Sequence, residues 1–212
     1  MTAGWIEDTR SSYDTVAVSY LEFVRYLLDD APYERAAFAL FADQVRVAGG
    51  GPVADVGCGP GRITGLLRGL GLDVFGLDLS PAMIELGRRD FPGVRFDVGS
   101  MTDLDLPDAS LDGVIAWYSL IHIPDEEIGT VLRHFQRVLR PGGRLMVGFH
   151  VGDGSNLKTE GYGGHPMRIY VHKRQPDELA AWLGEAGFVV EAHMITTSPE
   201  SRLGGTMFAR RP

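Results

Sequence analysis

The chain has 212 residues, of which 44% are hydrophobic and 23% charged, and its formal net charge is −8. This length predicts one domain, and this composition excludes disorder, collagen and coiled coil. Because the Lys and Arg residues form no basic stripe or tail, nucleic acid is not expected as a partner. No apolar run approaches the length of a membrane span, and the first residues lack the apolar stretch of a signal peptide. We therefore expect a cytoplasmic protein with no membrane partner.

The first 48 residues are predicted to be helical. Apolar residues recur at helical spacing over residues 16–28 and 33–48, and Asp30-Ala31-Pro32 breaks the pattern between them. Three glycines at residues 49–51 end this block. We interpret residues 1–48 as an N-terminal helical cap or lid, and residues 49–212 as the main domain.

Beyond residue 52, short apolar runs alternate with segments of helical spacing. Strands are predicted over residues 53–56, 73–77, 94–98, 112–117, 144–150, 188–195 and 206–210, and helices over 62–70, 81–90, 125–139 and 175–186. This alternation predicts an α/β fold with a mostly parallel sheet and helices on both faces. The glycine-rich residues 151–174 do not fit it. We interpret them as a long loop at the ligand-binding edge of the sheet, of the kind that is a lid, a binding loop or disordered.

A glycine turn after the first predicted strand carries the strongest functional signal. Its sequence from Asp55 to Gly61 has the pattern Gly-x-Gly-x-Gly, and the second strand ends in Asp78. A carboxylate at that position can accept both hydroxyl groups of a ribose. Pro60 removes a backbone N–H, and the Asp55 carboxylate would repel a pyrophosphate but attract an ammonium or sulfonium group. The turn therefore predicts a site for a nucleoside with a cationic tail.

Residues 55–61 resemble the first motif of the class I S-adenosylmethionine-dependent methyltransferases. Residues 112–122 resemble the family's fourth strand and the motif after it, and residues 139–145 resemble the entry to its fifth strand. The resemblance runs from about Tyr13 to the C-terminus and is nearest to the small-molecule, quinone-biosynthesis-like branch. It implies a Rossmann-like, seven-stranded sheet whose last strand is antiparallel. It also implies S-adenosylmethionine as cofactor, S-adenosylhomocysteine as product, and residues 49–212 as the cofactor-binding methyltransferase domain.

The motifs and the resemblance together give a set of expected cofactor-binding residues. They are Tyr13, Tyr20, Asp55, Gly57, Cys58, Gly59, Gly61, Arg62, Asp78, Leu79, Met83, Gly99, Ser100, Met101, Trp117 and Tyr118. Aromatic rings at the two lid tyrosines suit a sulfonium cation, although both tyrosines also fit simple helix packing. Met83 fits core packing equally well, Arg62 fits an exposed helix position, and Cys58 reads as a small buried residue of the turn.

Two histidines are candidates for a general base. His122 follows the fourth predicted strand and His150 ends the fifth, so both are expected on the substrate side of the sheet. A histidine with a pKa near the working pH suits proton abstraction. The alternative for each is a packed, hydrogen-bonded side chain. No zinc-ligand spacing occurs, and the single asparagine, Asn156, argues against a magnesium site of the catechol-methylating kind.

The sequence therefore predicts methyl transfer to a small molecule, on oxygen or nitrogen rather than carbon, by a monomer or a homodimer. Two alternatives stay open: a protein that binds the cofactor or its product without transferring methyl, and a methyltransferase of tRNA or protein. The second of these would need a basic face. Arg outnumbers Lys by 18 to 2, which indicates a high-GC bacterial genome.

Overall fold

The computed structural model describes residues 4–197 and 203–212, so the first three residues of the predicted cap lie outside the described ranges. The helices are α1 (Gly4–Val24), α2 (Pro32–Ala48), α3 (Arg62–Gly69), α4 (Pro81–Asp90), α5 (Asp125–Val138) and α6 (Pro176–Glu185). The strands are β1 (Val53–Val56), β2 (Val74–Asp78), β3 (Phe96–Val98), β4 (Leu111–Trp117), β5 (Leu139–His150), β6 (Ser155–Gly161), β7 (His165–His172), β8 (Val189–Thr197) and β9 (Leu203–Arg210). Within the described ranges, no helix combines the length and the apolar character that crossing a bilayer requires.

Seven of these strands form one twisted sheet in the order β3-β2-β1-β4-β5-β9-β8. Strands β1 to β5 are parallel, and β9 runs antiparallel to both of its neighbours, β5 and β8. The predicted Rossmann-like sheet with an antiparallel last strand is confirmed. The strand order reverses between β1 and β4, and such a switch point leaves a crevice at the carboxyl ends of the two strands.

The sheet is buried on both faces. All four residues of β1 and the first six of β4 are buried. Phe41 of α2 and Leu67 of α3 pack on one face, while Phe135 of α5 and Leu183 of α6 pack on the other. A parallel sheet covered in this way needs nearly continuous apolar strands, which is why the short apolar runs located the strands correctly.

The two N-terminal helices pack in different places. Helix α2 belongs to the layer that covers the sheet. Helix α1 lies apart from it, with Ala17 and Leu21 against Met83 of α4, and with Val16 against Ile169 of β7. A role as a cap or lid therefore remains a proposal for α1. Helix α2 is part of the core.

Residues 151–174 are not the irregular loop that the sequence predicted. Strands β6 and β7 pair antiparallel as a separate two-stranded hairpin. Its turn contains Tyr162, Gly163 and Gly164, all with positive φ (46°, 95° and 82°). Within β7, buried Met167 and Ile169 alternate with exposed neighbours. The sequence thus contained the alternation typical of a strand, but this short stretch is flanked by glycines and polar residues that indicated a loop.

Gly113 of β4 lies against α2, with little space between the strand and the helix. A Cβ at this position would come within 3.0 Å of Val45 and 3.1 Å of Phe41, both on α2. We expect Gly113→Ala to lower the free energy of unfolding by about 1–3 kcal/mol, as overpacking does, measured by urea denaturation. Gly184→Ala on α6 is the matched control, since a Cβ there meets nothing within 4 Å. A Gly113→Ala variant as stable as the Gly184→Ala variant would contradict this packing.

Candidate active site

The glycine turn between β1 and α3 has a left-handed backbone at three alternate positions. The φ angles of Gly57, Gly59 and Gly61 are 75°, 56° and 83°. A Cβ on Gly57 would lie 2.3 Å from the Cβ of Ser119, and one on Gly61 would lie 2.6 Å from the ring of Phe96. Glycine is therefore required here both by conformation and by space.

Asp78, at the end of β2, is tied to the glycine turn. Its Oδ2 accepts a hydrogen bond of 2.8 Å from the backbone N–H of Gly59, and its Oδ1 accepts one of 2.9 Å from that of Ser80. Burial raises the pKa of Asp78 above its ordinary value, and these two backbone donors act in the opposite direction. Each oxygen keeps capacity to accept a second hydrogen bond.

Asp14 connects α1 to the same region. Its Oδ1 accepts hydrogen bonds from the Ser80 hydroxyl (2.6 Å) and from the backbone N–H of Ala82 (3.1 Å). The Ser80 hydroxyl oxygen in turn accepts from the backbone N–H of Met83 and caps α4. A carboxylate is favourable at a helix N-terminus, so Asp14 fixes α1 on α4 beside Asp78.

A pocket of about 750 Å³, including its mouth, lies between α1 and the carboxyl ends of β1, β2 and β4. Most of the residues predicted for the site line it: Tyr13, Tyr20, Gly57, Gly59, Asp78, Leu79, Met83, Gly99, Ser100, Met101, Trp117, Tyr118 and His122. The structure thus brings the glycine turn, the acid after β2 and the first histidine candidate together around one cavity.

Five predicted residues do not line this pocket, namely Asp55, Cys58, Gly61, Arg62 and His150. Cys58 is buried against Ile84 and Phe96, and burial raises the pKa of its thiol well above the ordinary value. The ring of His150 packs 4.9 Å from that of Tyr118, which does line the pocket. Tyr118 has a φ of 52°, a strained value for a residue with a side chain.

Asp55 and Arg62 lie beside the pocket, close to the glycine turn. The Thr64 hydroxyl donates to Asp55 Oδ2 at 2.7 Å, but the buried Oδ1 has no hydrogen-bond partner in the described part of the chain. Arg62 Nη1 is likewise buried without an acceptor among those residues. Burial raises the pKa of Asp55 to about 7 and lowers that of Arg62. Asp55 Oδ1 and Arg62 Nη1 are thus an acceptor and a donor beside the pocket that no described protein group satisfies.

His122 is held at both ring nitrogens. It lies in a single 3₁₀ turn, Leu120–His122, after β4. Its Nδ1 is 2.8 Å from the carbonyl oxygen of Tyr170, and its Nε2 is 2.7 Å from the hydroxyl of Tyr13. Burial lowers the pKa of His122 to about 4, below the range expected from the sequence. The ring is therefore neutral at neutral pH.

Aromatic rings from α1 and from the hairpin meet over the pocket. Tyr13 and Tyr20 pack edge to face with ring centres 5.7 Å apart, and Tyr20 packs on Tyr162 at 4.8 Å. The ammonium of Lys158 lies 3.8 Å from the centre of the Tyr162 ring. The predicted lid tyrosines thus face the pocket, and the hairpin residue Tyr162 supports one of them.

Sequence reasoning missed several residues that line the pocket. Four lie on the first turns of α1, ahead of the stretch whose apolar spacing was recognised: Trp5, Ile6, Thr9 and Arg10. Their spacing continues the helical series of Tyr13 and Tyr20 backwards and was the available signal. The others, Leu77, Ser80, Ser119 and Ile123, are near neighbours in sequence of predicted residues.

Comparisons with known proteins agree with this geometry. Residues 53–143 match the family model described as a methyltransferase domain. A ubiquinone biosynthesis O-methyltransferase of Xanthomonas axonopodis pv. citri is 32% identical over 158 residues, which cover 67% of this chain and 64% of that protein. The chain spans between 40% and 64% of the length of the first curated relatives that it matches.

Two solved structures resemble the whole chain. A complex of DhpI with S-adenosylhomocysteine is 27% identical, covers 100% of both chains and has a TM-score of 0.75. The 1,6-didemethyltoxoflavin-N1-methyltransferase of Burkholderia thailandensis, solved with 1,6-didemethyltoxoflavin and S-adenosylhomocysteine, is 26% identical. It covers 95% of this chain and 90% of its own, with a TM-score of 0.64. By sequence and by fold, the chain is thus similar to methyltransferases, the class that its motifs indicated.

The buried Asp55 carboxylate predicts a pH-dependent cost to the ligand-free protein. Because its pKa is raised from 3.8 to about 7 in the folded state, the unfolded chain ionises first, and stability falls as pH rises through that window. We expect Asp55→Asn to have a higher melting temperature than wild type. The gap between the two melting temperatures should widen between pH 5 and pH 8 and reach about 2–4 °C at pH 8. Calorimetric melts measure this gap, with Asp43→Asn as the exposed control. A gap that narrows over the same range would contradict the assignment.

Proposed function

We propose that this chain transfers a methyl group from S-adenosylmethionine to an oxygen or nitrogen atom of a small molecule. The observation that carries the proposal is the single pocket that joins the glycine turn, Asp78 and His122. The first two features suit a nucleoside, and the third lies where the group to be methylated would approach. The names of the matched relatives support both the donor and the reaction.

A small acceptor is supported by what covers the pocket. In the described ranges, α1 packs on α4 and on the hairpin of β6 and β7, and together these elements cover the pocket. The net charge of −8 also disfavours tRNA as acceptor. The Burkholderia thailandensis relative was solved with a small heterocycle bound, which favours the same class here.

The residues present fit the adenosyl part of the cofactor. Asp78 would accept the two ribose hydroxyls, since its two oxygens have more lone pairs than the hydrogen bonds from Gly59 and Ser80 occupy. Leu79, Met83 and Met101 would form an apolar wall for the purine. Asp55 Oδ1 and Arg62 Nη1, the unsatisfied acceptor and donor beside the turn, match the ammonium and the carboxylate of the amino-acid tail.

When bound, S-adenosylmethionine supplies an electrophilic methyl group on a positively charged sulfur. The protein's own part is to bind, to orient and to exclude water. Tyr13 and Tyr20 present aromatic rings to the pocket, which suits a neighbouring cation. Asp14 holds α1 over the site, and this cover limits the access of bulk water.

Replacement of Asp78 tests the nucleoside site. In Asp78→Asn, the new amide N–H₂ would face either the Gly59 or the Ser80 backbone N–H, and one charged acceptor for the ribose is lost. We expect the dissociation constant for S-adenosylhomocysteine to rise about 10- to 100-fold, as loss of one or two charge-assisted hydrogen bonds implies. Isothermal titration calorimetry measures it, with Asp97→Asn on neighbouring β3 as an exposed control. Unchanged affinity in Asp78→Asn would remove the ribose assignment.

The transfer itself is tested with methyl-labelled S-adenosylmethionine and a fractionated small-molecule extract of the source cells. We expect label in at least one low-molecular-weight fraction with the wild-type protein. At a cofactor concentration below the wild-type dissociation constant, we expect about 10- to 100-fold less label with Asp78→Asn, because the variant binds the cofactor that much more weakly. Tight binding of S-adenosylhomocysteine with no labelled fraction would instead favour a protein that binds the cofactor without transferring methyl.

A further inference from the structure

Tyr13 and His122 form a hydrogen-bonded pair whose proton can be placed. The carbonyl oxygen of Tyr170 can only accept, so His122 Nδ1 carries the ring hydrogen and donates it across 2.8 Å. Nε2 of the neutral ring then has a free lone pair, and the Tyr13 hydroxyl donates to it across 2.7 Å. The burial that lowers the pKa of His122 also raises that of Tyr13, so the shared proton rests on the tyrosine.

In this arrangement both imidazole nitrogens are hydrogen-bonded, so neither is free to contact the molecule that accepts the methyl group. The phenolic oxygen of Tyr13, by contrast, has two lone pairs, of which its hydrogen bond with Tyr162 occupies at most one, and it belongs to a residue that lines the pocket. Resting on the proposed function, we propose that Tyr13 and His122 form a proton relay that serves an acceptor carrying an un-ionised hydroxyl group. Tyr13 is the catalytic residue that meets this hydroxyl, and His122 stores the proton.

The relay moves one proton in two linked transfers. The acceptor hydroxyl gives its proton to Tyr13 Oη, while the phenolic proton passes to His122 Nε2. The acceptor oxygen keeps the electron pair of its O–H bond and bonds to the methyl carbon, as the carbon–sulfur bond breaks and leaves its pair on sulfur. The positive charge that was on sulfur ends on the imidazolium. The pocket therefore holds one such charge before and after the transfer, and no charge accumulates in a buried site.

A buried arginine holds the histidine in place. Arg174 is 2% exposed, and its guanidinium donates to the carbonyl oxygens of Leu120 (2.8 Å) and Ile123 (2.5 Å), which bracket His122 in the chain. It also donates to Asp125 at 2.9 Å. Arg174 is thus a positioning residue: it fixes the 3₁₀ turn, and the Tyr170 carbonyl fixes the ring.

A methyl acceptor that is already ionised, such as a carboxylate or a phosphate, has no proton to lose. Its methylation would therefore not depend on Tyr13 and His122. The effect of removing the relay therefore reports the acceptor class. Tyr13→Phe keeps the ring that faces the pocket and removes only the hydroxyl, and His122→Gln removes the proton store. Tyr26→Phe, at an exposed tyrosine just after α1, is the matched control.

The first test measures label transfer into the extract fraction that wild-type protein labels. We expect Tyr13→Phe and His122→Gln each to lower turnover about 100-fold or more, and the double variant to fall no further, as residues that act as a unit do. The dissociation constant for S-adenosylhomocysteine should change less than about threefold, the part of the result that separates a relay from a structural role. Tyr26→Phe should match wild type.

The second test needs no cofactor. In protein with ¹⁵N-labelled histidine, the His122 signals are identified by their loss in His122→Gln. At neutral pH they should show a protonated Nδ1 and an unprotonated Nε2, and the Nε2 signal should move in Tyr13→Phe. An Nε2-protonated ring would overturn the relay.

The remaining outcomes separate the two proposals. Label transfer at the wild-type rate in Tyr13→Phe would overturn the relay and its acceptor class but leave methyl transfer standing. A Tyr13→Phe variant that loses turnover and S-adenosylhomocysteine affinity together would make Tyr13 a cofactor-binding residue, which also overturns the relay. If wild-type protein labels no fraction, the proposed function falls and the relay falls with it.

Discussion

The close approach of β1 and β4 at their carboxyl ends is the constraint on which the site depends. The Ser119 hydroxyl donates to the Val56 carbonyl at 2.7 Å, and Gly57 follows with no room for a side chain. The chain therefore passes from β1 to α3 through a turn of glycines with left-handed backbone angles, which needs no space for side chains. The same turn aims the Gly59 N–H at Asp78, so the strand contact sets both the shape of the crevice and the position of its carboxylate.

Helix α1 joins the two ends of the pocket through consecutive residues. Tyr13 reaches His122, after β4, and Asp14 reaches Ser80, after β2. These contacts lie on opposite sides of the strand-order reversal, so the helix spans the crevice rather than covering one edge of it. A helix fastened in this way links the Asp78 side of the pocket to its His122 side.

The sequence predicted the features that depend on residues close together in the chain, and it missed those that depend on residues far apart in the chain. The strands and the glycine turn depend on local patterns, apolar runs and backbone conformation, and both were found. The roles of Asp14 and Arg174 depend on partners 66 and 54 residues away, which no local pattern encodes. The pKa of His122 was misjudged for the same reason, because it depends on burial by α1 and β7. The hairpin of β6 and β7 was missed because glycines interrupt its alternation, although Met167 and Ile169 carried it.

The pocket beneath α1 is proposed to hold the nucleoside of S-adenosylmethionine with its sulfur toward His122. A crystal structure of the protein with S-adenosylhomocysteine measures this directly. We expect the ribose hydroxyls on the Asp78 carboxylate, the amino-acid tail beside the glycine turn, and the sulfur on the side of the pocket that Tyr13 and His122 share. A nucleoside bound outside this pocket, or one whose ribose lies away from Asp78, would contradict it.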